Sequence, residues 1–184
     1  MKTVIALLGD SLTEWGTFPR SASLPAVELH NLGVAGDGTW GVLARLHRLW
    51  DVSPDFVFLM VGVNDLGQGE RCGDIVARHN KIWRSVLDYE DPPTLVLHPI
   101  LPVNPDFFPP GYSALKNGDI FDLNFHLECQ AGNLGVPILD FRDPLMDERG
   151  KLKAAFTSDG LHLNAEAYKI WDEALCNYLK EKLA

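Results

Sequence analysis

At 184 residues, with 46% hydrophobic and 22% charged side chains, the chain has the size and balance of one ordinary globular domain, neither disordered nor fibrous. A formal net charge of −9 with no basic patch argues against a nucleic-acid backbone or an anionic membrane surface as partner. Three widely spaced cysteines without a CxxC pair (Cys72, Cys129, Cys176), no apolar run near the ~18 residues of a membrane span, and a segment before Gly9 too short for a signal-peptide core together predict a cytoplasmic protein with free thiols.

In chain order, Val4–Leu8 is an unbroken apolar run, as a parallel strand covered on both faces should be. It stops at Gly9-Asp10-Ser11, followed by Leu12-Thr13. A strand that hands over to a sharp turn presents the next side chain at the rim of its sheet, and here that side chain is a hydroxyl. Ala26–Leu32 alternates with polar residues, reads as an edge strand, and runs into the Gly33–Gly38 loop. Val42, Leu43, Leu46, Leu49 and Trp50 mark a helix stripe. Phe56–Val61 is the third strand, ending in Gly62-Val63-Asn64-Asp65, and Ile75, His79, Ile82 and Val86 trace the next helix.

Thr94–Leu97 is the fourth strand, and His98–Gly118 after it carries five prolines in its first thirteen residues and a Phe107-Phe108 pair. A rim loop of that length is expected to form a wall of the substrate pocket or a subunit contact. A helix is expected from Asp119 to Ala131 with Gly132 near its C-cap, then an edge strand Val136–Leu139 that contains Pro137. The last helix carries Trp171, Ala174, Leu175, Tyr178 and Leu179 and is capped at Asn164. The alternation predicts an α/β fold: three α/β/α layers around a five-stranded parallel sheet, of order 2-1-3-4-5 by analogy with flavodoxin-like sheets, with residues 1–184 forming a single domain. Ligands bind such sheets outside the C-terminal strand ends, so the loops after the first four strands matter most.

A serine hydroxyl is a poor nucleophile until a base takes its proton, and that base needs a third group to hold its tautomer. Of six histidines (His30, His47, His79, His98, His126, His162), only His162 has a carboxylate three residues before it, Asp159. A turn of that length lets the carboxylate reach Nδ1–H and leaves Nε2 facing Ser11. Acyl transfer also needs donors where negative charge develops on the carbonyl oxygen. Gly36 offers a bare backbone N–H, Asn64 a side-chain amide, and Ser11 its own N–H at the turn into a helix. The neighbours have simpler readings. Asp10 is expected to tie neighbouring loops together, and Asp65 to satisfy backbone N–H groups below Asn64. Asp37 is either a helix N-terminal acid or a substrate contact, and Trp15 and Trp40 either line the pocket or brace loops. His47, His79 and His126 fall within helical patterns as partly buried or surface residues.

These blocks resemble the SGNH-hydrolase family, the GDSL esterases and lipases, defined by four short blocks that supply a Ser, a Gly, an Asn and a His. All four stand in order: GDSLT at Gly9–Thr13, GVAGD at Gly33–Asp37, GVND at Gly62–Asp65 and DGLH at Asp159–His162. The resemblance implies that Ser11 is the nucleophile, His162 the general base and acid, and Asp159 its orienting partner. The oxyanion hole would comprise the N–H groups of Ser11 and Gly36 with the Asn64 amide. It further implies hydrolysis of small carboxylic esters through an acyl-enzyme, with no metal and no organic cofactor. The segment His30–Leu46 is similar to the intracellular branches that include platelet-activating-factor acetylhydrolase subunits, arylesterases and lysophospholipases. Short acyl groups, acetyl or aryl esters, are the expected substrates, and a homodimer is left open. Two rivals compete with this reading: a metal-dependent phosphoesterase built on Asp10, Asp37, Asn64, Asp159 and His162, and a non-catalytic module whose GDSLT loop cradles a phosphate or sugar.

Overall fold

The computed structural model describes residues 2–112 and 114–184. Its centre is a parallel sheet of β1 (Thr3–Gly9), β2 (Val27–Gly33), β3 (Phe56–Met60) and β4 (Thr94–Leu97) in the order β2-β1-β3-β4. The apolar runs became the strands that expectation assigned them. Ile5 to Leu8 and Val57 to Met60 are buried, because strands covered on both faces can expose neither set of alternating side chains. β2 lies at the edge and keeps its polar positions in solvent, where His30 meets Glu28 at 3.0 Å.

Helices form the two outer layers. They are α1 (Ser11–Glu14), α2 (Pro19–Ala22), α3 (Thr39–Ala44), α4 (Arg48–Val52), α5 (Val63–Gly67), α6 (Cys72–Leu87), α7 (Asn117–Leu134) and α8 (Ala165–Lys182). α2 packs on α8, and α6 packs on both α3 and α7. α8 buries Ala167, Tyr168, Trp171, Leu175 and Leu179, a stripe at helical spacing, and Asn164 caps it by accepting from the N–H groups of Glu166 and Ala167. Trp171 anchors that layer among Phe18, His98, Phe141 and Tyr168.

Three expectations change in detail. The fifth strand is reduced to a single parallel bridge, Leu97 to Ile138, so the sheet has four strands. Pro137 contributes its carbonyl to Leu97 N (2.9 Å) and Leu139 takes Leu97 O (2.9 Å), but proline has no N–H with which to extend the ladder. The stripe from Val42 to Trp50 is split into α3 and α4, because the chain between them closes tight i→i−3 bonds such as Leu46 N to Leu43 O and Arg48 N to Arg45 O. α7 runs through Gly132 to Leu134 and ends at Gly135, whose φ of 68° supplies the left-handed turn that Gly132 was expected to make.

Register sets the rim. Gly9 pairs with both Gly33 and Met60, and Leu59 pairs with Leu97, so the C-terminal ends of all four strands reach one edge of the sheet. The loops that leave this edge carry Ser11, Gly36, Asn64 and His98.

Candidate active site

β1 ends at Gly9 because nothing larger fits there. A Cβ on Gly9 would stand 2.3 Å from Thr13 Oγ1 and 2.4 Å from Met60 O. The chain then turns into α1, with Asp10 as its N-cap accepting from Leu12 N at 3.0 Å. Ser11 is the first residue of α1, and its Oγ lies 3.0 Å from His162 Nε2. The Asp159 and His162 pairing is made within one turn. Asp159 Oδ2 accepts from His162 Nδ1 at 2.6 Å, while Oδ1 accepts from the backbone N–H groups of Leu161 (2.9 Å) and His162 (2.8 Å). Desolvation pulls the Asp159 carboxyl upward, but the His162 ring and those two N–H groups outweigh it and hold the group down at about 2. An ionised Asp159 accepts only from a protonated Nδ1, so the Nε2 lone pair faces the serine and Ser11 O–H donates to it.

α8 helps hold His162 against Ser11 across their sequence separation. Tyr168, just over one turn into that helix, donates its hydroxyl to Leu12 O at 2.9 Å, and Asp172 accepts from the N–H groups of Arg20 (2.8 Å) and Ser21 (3.0 Å) at the start of α2. These contacts pin α8, and with it the turn before Asn164, against the Ser11 corner. Neither residue carried a sequence signal, since each reads only as one more position on a helix. Trp15, left open between pocket and brace, sets its half-exposed ring 4.2 Å from the His162 ring.

The Gly36 and Asn64 loops are braced together. Ala35 N is held by Glu14 Oε2 (2.7 Å) and Asp37 N by Val34 O (3.1 Å), while Asp37 O accepts from Asn64 Nδ2 (2.8 Å). Gly36 between them has a φ of 82°, a conformation suited to glycine, and its N–H bonds to no other described residue; the same holds for Ser11 N–H. Asn64 has two amide hydrogens and Asp37 O occupies one. Arg45 fixes the frame from below, donating to Asp37 Oδ2 (2.5 Å), Leu32 O (2.6 Å) and Gly9 O (2.8 Å). Asp37 is therefore an ion-pair partner of Arg45.

One carboxylate reading is corrected, and another gains its partner. Among the described residues, the Asp10 side chain ties no neighbouring loop and serves Leu12 N within its own turn. Burial pushes that carboxyl up to about 7 against the lowering effect of the Leu12 N–H, with Asp65 and Asp37 adding to the rise. Asp65 satisfies a backbone N–H, that of Thr39 at the start of α3 (2.9 and 3.1 Å), and also accepts from Thr39 Oγ1 (2.6 Å) and Arg78 (3.1 Å). The two buried histidines stand apart from the site. His79 gives one ring nitrogen to Val61 O at 2.9 Å, and His98 sits among Phe58, Phe141 and Trp171; burial lowers them to about 4 and about 3, so both are neutral. The carboxylates of the rival phosphoesterase do not converge: Asp10 is buried in its cap, Asp37 is paired with Arg45, and Asp159 is taken up by His162.

Beside Asp159 lies an open hollow of about 250 Å³, lined by Phe108, Pro109, Tyr112, Leu115 and Leu161. The proline-rich loop after β4 supplies four of those five residues, which favours the pocket-wall reading of that loop over a purely subunit role.

Residues 7–170 match the model of the GDSL-like lipase/acylhydrolase family. Among solved structures, the chain is similar to a Streptococcus pneumonia protein provisionally described as a platelet activating factor, at 27% identity and a TM-score of 0.83 over 97% of this chain and 85% of that one. It is also similar to a GDSL-like lipase from Bacteroides thetaiotaomicron VPI-5482 (19% identity, TM-score 0.82, 98% and 89% covered). A third resembles it at 18% identity and a TM-score of 0.76, covering 95% of this chain and 98% of the other: an acetyl xylan esterase. No curated protein matches the chain significantly.

Proposed function

The chain belongs to the GDSL-like lipase/acylhydrolase family; we propose that it is a carboxylic ester hydrolase that cleaves small esters of short acyl groups, acetyl or aryl esters, with Ser11 as nucleophile. The observation that carries this reading is the continuous path from Asp159 Oδ2 to His162 Nδ1 (2.6 Å) and from His162 Nε2 to Ser11 Oγ (3.0 Å). In the first half of the reaction, Ser11 Oγ attacks the ester carbonyl as its proton moves to Nε2. The imidazolium so formed lies against the ionised Asp159, which stabilises it without taking the proton. The carbonyl oxygen becomes an alkoxide and accepts from Ser11 N–H, Gly36 N–H and the second hydrogen of Asn64 Nδ2. Collapse of this intermediate expels the alcohol, which takes the proton from Nε2. Water, deprotonated by the same nitrogen, then attacks the acyl-serine and releases the acid, and the proton returns to Ser11.

The size of the hollow supports short acyl or aryl groups. At about 250 Å³ it falls below the roughly 300–1,000 Å³ that holds drug-sized ligands, and it is open rather than tunnel-shaped. A panel of p-nitrophenyl esters from acetate to laurate, with acetylated sugars beside it, tests the proposal in wild type and Ser11→Ala. Wild type is expected to favour the shortest chains, and Ser11→Ala to lose turnover on all of them while melting at the wild-type temperature. Turnover retained in Ser11→Ala would remove that residue from the mechanism, and a preference for laurate would remove the short-acyl assignment.

A further inference from the structure

Away from the rim, the N-terminus of α6 and the middle of α7 bring together three chemically different ligand groups. Asp122 and His126 stand four residues apart on α7, with His126 Nε2 3.8 Å from Asp122 Oδ1. Cys72, the first residue of α6, faces them across the helix pair, and its Sγ, one Asp122 oxygen and one His126 nitrogen all lie within 4.8 Å of one another. This is the one such set of three among the described residues. Tetrahedral ligands at about 2.0–2.3 Å from a central ion stand roughly 3.3–3.8 Å apart, so modest side-chain rotations would close the set around a common point. A thiolate, an imidazole and a carboxylate are the donors that Zn²⁺ prefers, whereas Mg²⁺ and Ca²⁺ take all-oxygen shells.

An adjoining hollow of about 380 Å³, lined among others by Cys72, Glu70, Arg71, Asp119 and Asp122, leaves room for a water or carboxylate in a fourth position.

We propose that Cys72, Asp122 and His126 form a Zn²⁺ site that clamps α6 to α7, independent of the ester chemistry. As the Sγ–metal bond forms, the thiol gives one proton to solvent while the imidazole and carboxylate bind through lone pairs they already hold. Affinity should therefore rise with pH.

The test uses chelator-treated full-length protein titrated with Zn²⁺ against a chromophoric competitor, and with Co²⁺ as spectroscopic probe. One ion per chain is expected, with a thiolate-to-cobalt charge-transfer band, a rise in melting temperature on Zn²⁺ addition, and one proton released per ion. Cys72→Ser should abolish the band and His126→Ala should weaken binding at least tenfold, whereas Cys129→Ser should leave both unchanged. These side chains are at least partly exposed, so the variants should fold as wild type does, which circular dichroism checks. A missing band in wild type, a band that survives in Cys72→Ser, or one that vanishes in Cys129→Ser would each overturn the site.

Discussion

Asn64→Ala separates positioning from chemistry at this site. The amide has two hydrogens: one is bound by Asp37 O at 2.8 Å, and the other is left for substrate. Alanine removes both. Loss of the first frees the Asp37 carbonyl, which costs about 0.5–1.5 kcal/mol of stability, toward the lower figure because Asn64 is only half buried and water can replace it. Loss of the second removes one of three donors to the alkoxide, which costs roughly 2.7–4 kcal/mol in the transition state, or about 10²–10³ in kcat. The ground-state ester carbonyl carries little charge, so KM should hardly move. Steady-state hydrolysis of p-nitrophenyl acetate measures the kinetic loss, and thermal unfolding of the same sample measures the structural one. A kcat within about threefold of wild type, under ~0.7 kcal/mol, would refute Asn64 as an oxyanion donor. So would a loss of activity that matched the fraction unfolded, since the bond to Asp37 would then be the whole of its role.

Asp159→Asn presents an amide where the imidazole needs an acceptor; kcat should fall by about 10²–10⁴, less than for a buried partner because this carboxylate is half exposed, and an unchanged rate would detach Asp159 from His162. Asp10→Asn tests the buried cap. Its folded-state value of about 7 lies above the unfolded 3.8, so the folded protein holds a proton that the unfolded chain has released, and stability falls as pH rises between those values. At about 1.4 kcal/mol per unit over roughly three units, the effect is at most ~4 kcal/mol. Asparagine keeps the oxygen that caps Leu12 N, so its stability advantage over wild type in urea unfolding should grow from pH 5 to pH 8; parallel curves would contradict a raised Asp10. Replacing both Phe108 and Tyr112 by alanine opens the hollow beside Asp159, and the rate ratio of octanoate to acetate ester should rise. The wild-type ratio in that double variant would show that the acyl group binds elsewhere.

Much of this protein is legible in its residues because the relevant signals are local. An apolar run that stops at glycine announces a buried strand and its rim turn, as at Val4–Gly9 and Phe56–Gly62. Asp159 and His162 are paired by the length of one turn, and Asn164 caps α8 by bonds to residues two and three positions on. Four such blocks in order were enough to name the family before any contact was known. Local rules erred where a neighbour elsewhere in the fold decided the outcome. The stripe from Val42 to Trp50 has the period of one helix, yet tight turns break it where Arg45 reaches Gly9 O and Leu32 O. Val136–Leu139 has the composition of a strand, yet Pro137 leaves one bridge.

Only the folded chain decided which partner each carboxylate serves: Asp65 serves Thr39, Asp37 serves Arg45, and Asp10 serves Leu12 N as a buried cap that takes up a proton below neutral pH. It alone revealed Tyr168 and Asp172 as the posts that hold α8 against the Ser11 corner, and Trp15 as the ring against His162. The reason is the same in each case. Turn length, helical period and strand alternation depend on residues a few positions apart, whereas a hydrogen bond across 151 positions depends on how whole helices pack, and no short window of sequence contains that information.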